Sequence, residues 1–292
     1  MKIGIDLGGS HIAVGLITDE GKILIKEEEK ININAQENKT QLIRDKMISL
    51  INCVLKQRQI PIFIIEEIGI GIPGVVKENV IDKCEKYSIY NWNLAKELEE
   101  YYKIPIKIKN DALCAAKAEY EQGNLKDVKK AVFLCLGTGI GGATILENKI
   151  FASEYGHMII EKDGKKCHCK RKGCFETYSS MKSFKQGVIE ILKLDEKTSS
   201  EQLLSILINE KNNNQLNEYI DNYIDTLLIG ISNIINIVNP EKICIGGSFT
   251  YFEDILYKRL LEKSTQLKCQ FENPEILLAK LKNDAGIIGA IL

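Results

Sequence analysis

The sequence predicts an α/β protein of two lobes, each a sheet with helices, set around a central cleft. Three observations carry the prediction. The chain has 292 residues, room for two buried cores at about 100 to 200 residues per domain. Short apolar runs with strand character alternate with longer amphipathic stretches. Two segments far apart in the chain open alike, each as strand, glycine turn, strand, as an internally duplicated fold would.

The first of these begins with Lys2 to Ile5, turns at Asp6-Leu7-Gly8-Gly9-Ser10 and continues as Ile12 to Ile17. A third strand is expected over Lys22 to Glu27, then a helix from about Gln41 to Gln57. Ile68 to Ile72 reads as a buried strand ending in Pro73-Gly74, and Leu94 to Tyr101 as a helix. Ile104 to Ile108 alternates as a strand and delivers Asn110 and Asp111 to the start of the next helix. The second glycine hairpin runs from Val132 to Leu136 through Gly137-Thr138-Gly139-Ile140-Gly141-Gly142 and on to Leu146. Helical patterns occupy Lys182 to Val238; a last strand, Lys242 to Ile245, ends in Gly246-Gly247-Ser248. The lobes are placed at 1–112 and 113–283, with the apolar C-terminal helix of 284–292 packing back on the first.

Composition excludes several classes. The 39 Lys plus Arg nearly balance 40 Asp plus Glu, so no strong pull toward nucleic acid is expected. Asp6 interrupts what would be a signal peptide's apolar core, and no window reaches 18 uninterrupted apolar residues, which predicts a cytoplasmic protein without a membrane partner. Nine cysteines then read as thiols or metal ligands rather than disulfides. Cys53, Cys84, Cys114, Cys135, Cys244 and Cys269 stand alone, mostly in apolar surroundings where a thiol acts as a small hydrophobe.

Glycine turns at strand ends let backbone N–H groups converge on a phosphate without obstruction by Cβ, although a single glycine hairpin is commonly only a turn. Gly137, Gly139 and Gly142 satisfy the dinucleotide pattern G-x-G-x-x-G, but the next residues, Ala143-Thr144-Ile145-Leu146, are β-like and open no helix. Asp6, immediately before the first turn, is placed either to cap it or to hold magnesium through water. Asn110-Asp111 reads as a helix cap, or Asp111 as the carboxylate that takes a proton from an alcohol attacking a phosphate.

Glu154-Tyr155-Gly156-His157 and Cys167-His168-Cys169-Lys170-Arg171-Lys172-Gly173-Cys174 bring one histidine and three cysteines within reach of a closed Cys₃His zinc site. His168 competes as the nitrogen ligand. In an extended C-x-C loop, however, the middle side chain points away from its neighbours' metal, which favours His157. Glu154 and Glu176 flank the cluster and could grip vicinal hydroxyls. Because the glycine turns lie elsewhere in the sequence, a change in this loop is expected to affect them little.

Taken in order, Asp6-Leu7-Gly8-Gly9, Gly71-Ile72-Pro73-Gly74, Asn110-Asp111-Ala112, Leu136 to Gly142, Glu154-x-Gly156-His157, the C-x-C-x₄-C-x-E run ending at Glu176, and Asp284 to Gly289 cover nearly the whole chain. In these motifs the sequence resembles the ROK family of bacterial sugar kinases, repressors and related proteins. The resemblance implies the two-lobed actin/hexokinase-like (ribonuclease H-like) fold, with duplicated sheet-and-helix domains, and ATP with magnesium as cofactors. Gly8, Gly9, Ser10, Gly137, Thr138 and Gly139 would line the ATP phosphates, and Gly246, Gly247 and Ser248 would lie by the adenosine. Asp111 would be the base. Gly74, Asn110, Asp111, Glu154, His157 and Glu176 would contact the sugar, and His157, Cys167, Cys169 and Cys174 would bind a structural zinc ion.

Three features depart from the family pattern. His11 stands where lysine is common, Lys170 replaces a glycine, and the stretch between Gly142 and Glu154 is short, so sugar specificity does not carry over. The expected activity is transfer of phosphate from ATP to a hexose, with glucose at its 6-hydroxyl ahead of fructose, mannose and N-acetylhexosamines. A homodimer is the expected assembly. The rivals are a sugar-responsive repressor and a catalytically silent sugar-binding protein. The first would need a DNA-binding helix-turn-helix, for which a first strand at Lys2 leaves no room; retention of Asp6, Asp111 and the three glycine turns speaks against the second.

Overall fold

The computed structural model describes residues 1–9, 11–31 and 38–292, and divides into two compact units, 1–123 with 283–292 and 124–282. Ser10 lies outside the described residues.

The first unit is built on a five-stranded sheet. Its strands are β1 (Lys2–Leu7), β2 (His11–Ile17), β3 (Ile23–Lys30), β4 (Glu67–Ile72) and β8 (Ile106–Asn110), in the order β3-β2-β1-β4-β8. β1, β4 and β8 run parallel, with Asp6 opposite Gly71 and Ile72 opposite Asn110. Their buried isoleucines, Ile3, Ile5, Ile68, Ile70 and Ile108, form a core with α1 (Lys39–Arg58), which turns Ile43, Met47, Ile51 and Val54 inward at helical spacing. Asn38 caps α1 by accepting from the Gln41 N–H.

Three strands of this unit escaped the sequence reading: β5 (Val75–Lys77), β6 (Val80–Cys84) and β7 (Ile89–Trp92), which form a small antiparallel sheet of their own. The legible signal was Glu78-Asn79, a two-residue turn with both φ positive, as a tight hairpin requires. α2 (Leu94–Tyr102) leads into β8, which is shifted two residues from the expected 104–108, so that Asn110 is itself the last residue of the strand. α3 (Asp111–Gln122) begins at the next residue.

The expected boundary at 112/113 would split α3 from the first unit, whereas the compact unit runs to Gly123 because α3 packs on the C-terminal helix. In the second unit, β9 (Lys130–Leu136), β10 (Ile140–Leu146), β11 (Lys149–Ala152), β12 (Lys242–Gly246) and β13 (Glu275–Leu278) pair in the order β11-β10-β9-β12-β13. β9 and β10 form an antiparallel hairpin, so the G-x-G-x-x-G segment connects two strands and opens no helix. The next hairpin turns at Glu147-Asn148, both at positive φ, which accounts for the short stretch before Glu154. The helices are α4 (Glu176–Ser179), α5 (Met181–Leu192), α6 (Ser200–Asn209), α7 (Asn214–Val238) and α8 (Lys258–Ser264). α7 buries Leu216, Ile220, Tyr223, Leu227, Ile231 and Ile234 along one stripe against this sheet's core.

The last helix, α9 (Ala285–Ala290), belongs to the first unit. Glycines make its seat. A Cβ on Gly4 of β1 would overlap the Ile287 carbonyl, and one on Gly69 of β4 the Ala290 carbonyl. No helix among the described residues is long and apolar enough to cross a membrane.

Candidate active site

In the first unit the parallel register gathers the predicted residues at the carboxyl ends of β1, β4 and β8, the end of an open α/β sheet at which ligands bind. Asn110 is the N-cap of α3: its Oδ1 accepts from the Leu113 N–H at 3.0 Å, and its Nδ2 donates to the Gly74 carbonyl at 3.0 Å. The cap is therefore Asn110 and not Asp111. Asp111 opens the helix, with Oδ1 accepting from the Ala112 N–H at 2.8 Å, which orients its carboxylate. Gly74 has φ near +141°, and a Cβ there would overlap the Lys83 carbonyl, so the bend after β4 needs glycine.

Asp6 is half-buried against Gly286 of α9. Burial raises its carboxyl from 3.8 to about 7, with Asp111 and Glu28 adding to the effect and Lys26 opposing it. The turn beside it is tight: the Gly8 N–H donates to the His11 carbonyl at 2.9 Å. Tyr87, buried and close enough to Asp6 and Asp111 to feel both charges, donates its hydroxyl to the Gly8 carbonyl. The sequence reading missed Tyr87, since one tyrosine between two short strands carries no periodic signal.

In the second unit, parallel pairing of β9 with β12 sets Gly246 opposite Cys135. The turns Gly137-Thr138-Gly139 and Gly246-Gly247-Ser248 thus lie at the ends of neighbouring strands. Gly247, at φ +76°, lies against the Leu136 carbonyl with no room for a Cβ. Two distant pieces close on the first turn. A Cβ on Gly156, of Glu154-x-Gly156-His157, would overlap the Ile140 carbonyl. Glu176 Oε2 accepts from the Ile140 N–H at 2.8 Å, and Gly139 leaves the space for that carboxylate. The sequence separation between the cysteine loop and the glycine turn is therefore bridged by Glu176, contrary to the reading of the two as remote.

The metal candidates converge. Ligand atoms of His157, Cys167, Cys169 and Cys174 all lie within 4.8 Å of one another. Cys169 and Cys174 Sγ are 3.6 Å apart, and Cys167 Sγ is 3.7 Å from His157 Nδ1. These are close to the edges of a tetrahedron with bonds of about 2.3 Å, roughly 3.8 Å, and far longer than a disulfide. The donor set fits zinc. Burial opposes ionisation of Cys169, but hydrogen bonds with Arg171 and the neighbouring thiols bring it down to about 6.

His157 directs its other nitrogen, Nε2, toward Glu154 Oε2 at 3.9 Å. Glu154 is largely exposed, at 77%, whereas Glu176 is held at 16%. His168 stands outside the four-residue set, its Nδ1 3.1 Å from Glu176 Oε1. Lys170 takes φ +70°, the left-handed region that favours glycine, at the position where the family pattern has one. Below the loop, a Cβ on Gly230 would overlap the buried ring of Phe175, so α7 seats the residue between Cys174 and Glu176.

The ROK family model matches residues 2–292. The chain belongs to the ROK family. It is 29% identical over 311 residues to the xylose repressor of Caldicellulosiruptor bescii, covering 99% of this chain and 76% of that protein. It is equally 29% identical over 319 residues to the glucokinase of Halalkalibacterium halodurans, covering 98% and 92%. Among solved structures, the ROK glucokinase of Streptomyces griseus in complex with glucose and AMPPNP superposes with a TM-score of 0.84 at 21% identity, over 99% of this chain and 97% of that one. The fold of this ROK protein is thus the two-lobed actin/hexokinase-like one, and its family includes sugar kinases and regulators alike.

Proposed function

We propose that this chain is an ATP-dependent hexose kinase acting on glucose at its 6-hydroxyl. The observation that carries the reading is the gathering of Asp6, the Gly8 turn, Gly74, Asn110 and Asp111 at one end of three parallel strands. In the proposed reaction Asp111 accepts the proton of the sugar hydroxyl as its oxygen bonds to the γ-phosphorus and the bond to the ADP oxygen breaks. Gly74, Asn110, Glu154, His157 and Glu176 hold the other hydroxyls. The turns at Gly8-Gly9-Ser10 and Gly137-Thr138-Gly139 receive the phosphates, and Gly246 to Ser248 lie by the adenosine. Asp6 would hold magnesium, which would neutralise phosphate charge. His157, Cys167, Cys169 and Cys174 would hold zinc, which would make the sugar-binding loop rigid. A cytoplasmic homodimer completes the proposal.

The match of 99% of this chain to 76% of a protein named a xylose repressor favours a second reading, a sugar-binding regulator without turnover. ADP release measured with glucose, fructose, mannose, N-acetylglucosamine and xylose separates the two. Kinase activity requires release that depends on one of the hexoses and far exceeds ATP hydrolysis without sugar, since sugar should complete the site. Equal release with and without every sugar sinks the kinase reading.

A further inference from the structure

His168 sits between two proposed metal ligands, and its Nδ1, 3.8 Å from Cys167 Sγ, also reaches a group outside that set. Its Nδ1 stands 3.1 Å from Glu176 Oε1, and the other oxygen of the same carboxylate accepts from the Ile140 N–H at 2.8 Å. Its ring also meets that of His157 edge-on, with centroids 5.1 Å apart. One exposed imidazole thus meets two of the three groups proposed to hold the sugar in this unit, His157 and Glu176, and Glu176 is bonded to the glycine turn proposed to hold phosphate.

We propose that His168 is a positioning residue which, through Glu176, joins the cysteine-histidine loop and the turn Gly137 to Ile140 into one mechanical unit. The physical argument is one of freedom. With the Ile140 N–H alone, the Glu176 carboxylate can pivot about that bond. A second partner on the opposite oxygen fixes its plane and keeps the N–H aligned. Ordering of the loop and ordering of the turn are then coupled, and whatever occupies one favours the other. The competing role is metal ligation, because Cys167, His168 and Glu176 also bring donor atoms within 4.8 Å of one another. That set shares Cys167 with the four-residue set, and a soft, closed Cys₃His site satisfies zinc without it.

The functional part of the inference rests on the kinase reading; the positioning part does not, and the experiment separates them. The test compares wild type with His168→Leu and His168→Asn, the latter offering an amide nitrogen near the place of Nδ1. Three quantities are read: zinc per chain, exchange of the Ile140 amide by NMR, and magnesium–AMPPNP affinity by calorimetry. Zinc should stay at one ion per chain in all three proteins. In His168→Leu the Ile140 amide should exchange roughly tenfold faster as its acceptor loosens. The AMPPNP Kd should rise roughly fivefold or more, with His168→Asn recovering most of both effects. Unchanged Ile140 exchange in His168→Leu, or loss of zinc from it, or two zinc ions in the wild type, overturns the inference. If wild type binds no AMPPNP the kinase reading fails, and the Ile140 comparison still decides the positioning role.

Discussion

Asn110 Nδ2 donates to the Gly74 carbonyl at 3.0 Å, while Oδ1 of the same side chain caps α3 at the Leu113 N–H. One amide thus ties the bend after β4 to the helix that begins with Asp111, and the relative position of two proposed sugar-contacting elements depends on it. Asn110→Ala removes both bonds and should cost about 1 to 2 kcal/mol of stability, read by urea denaturation. Asn110→Asp keeps the cap acceptor and loses only the donor, so its stability should lie nearer wild type. Equal losses in the two variants would show that the cap contributes nothing.

Asp111→Asn should lower kcat at least about a hundredfold while sugar binding largely survives, because a general base contributes mainly in the transition state. The amide oxygen can still accept from the Ala112 N–H, so the side-chain direction is kept. Turnover near wild type in steady-state assays removes Asp111 from the role of base.

Asp6 makes stability depend on pH. Its carboxyl titrates at about 7 in the folded chain against 3.8 as the ordinary value, because burial and the Asp111 charge disfavour the anion. The folded state therefore holds this proton more tightly than the unfolded state. The resulting stability is fully present below about pH 4 and is lost as pH rises through 7. Without nucleotide and magnesium, Asp6→Asn should be more stable than wild type at pH 8 by on the order of a few kcal/mol, with the gap closing toward pH 4. Melting curves across that range give the answer, and a gap that widens on acidification refutes the assignment.

Cys174→Ala should lose zinc and weaken sugar binding without removing a sugar-contacting atom. His157 loses the partner that fixes its ring, and Glu176, two residues on, loses its seat. The loss should exceed that of His157→Gln alone. Metal analysis beside sugar calorimetry tests this; a variant that is zinc-free yet binds its sugar unchanged disproves the link.

Gly4→Ala places a methyl group on the Ile287 carbonyl and should force α9 off β1, at a cost of at least about 2 kcal/mol. The same change at the unobstructed Gly137, which has nothing within 4 Å of a would-be Cβ, should leave stability nearly unaltered. A thermal melt that ranks the two the other way contradicts the seat described for α9.

The sequence by itself determined the duplicated strand-turn-strand openings, the main strands and helices, the donor set for a metal and the family. These are local or ordered properties: apolar spacing sets an element's type, and ligand chemistry is carried by residue identity. It did not reveal the small sheet β5-β6-β7, whose strands are too short for periodicity to register, nor the two-residue shift of β8 that puts Asn110 at the strand's end. Tertiary structure alone decided that Asn110 and not Asp111 caps α3, that Tyr87 reaches the Gly8 carbonyl, and that His168 turns to Glu176. It also brought Glu176 onto the Ile140 N–H, joining loop and turn across 36 residues of sequence. The reason is register. Which backbone N–H meets which carboxylate depends on how strands align and how closely glycines let chains approach, and neither is written in the residues that finally touch.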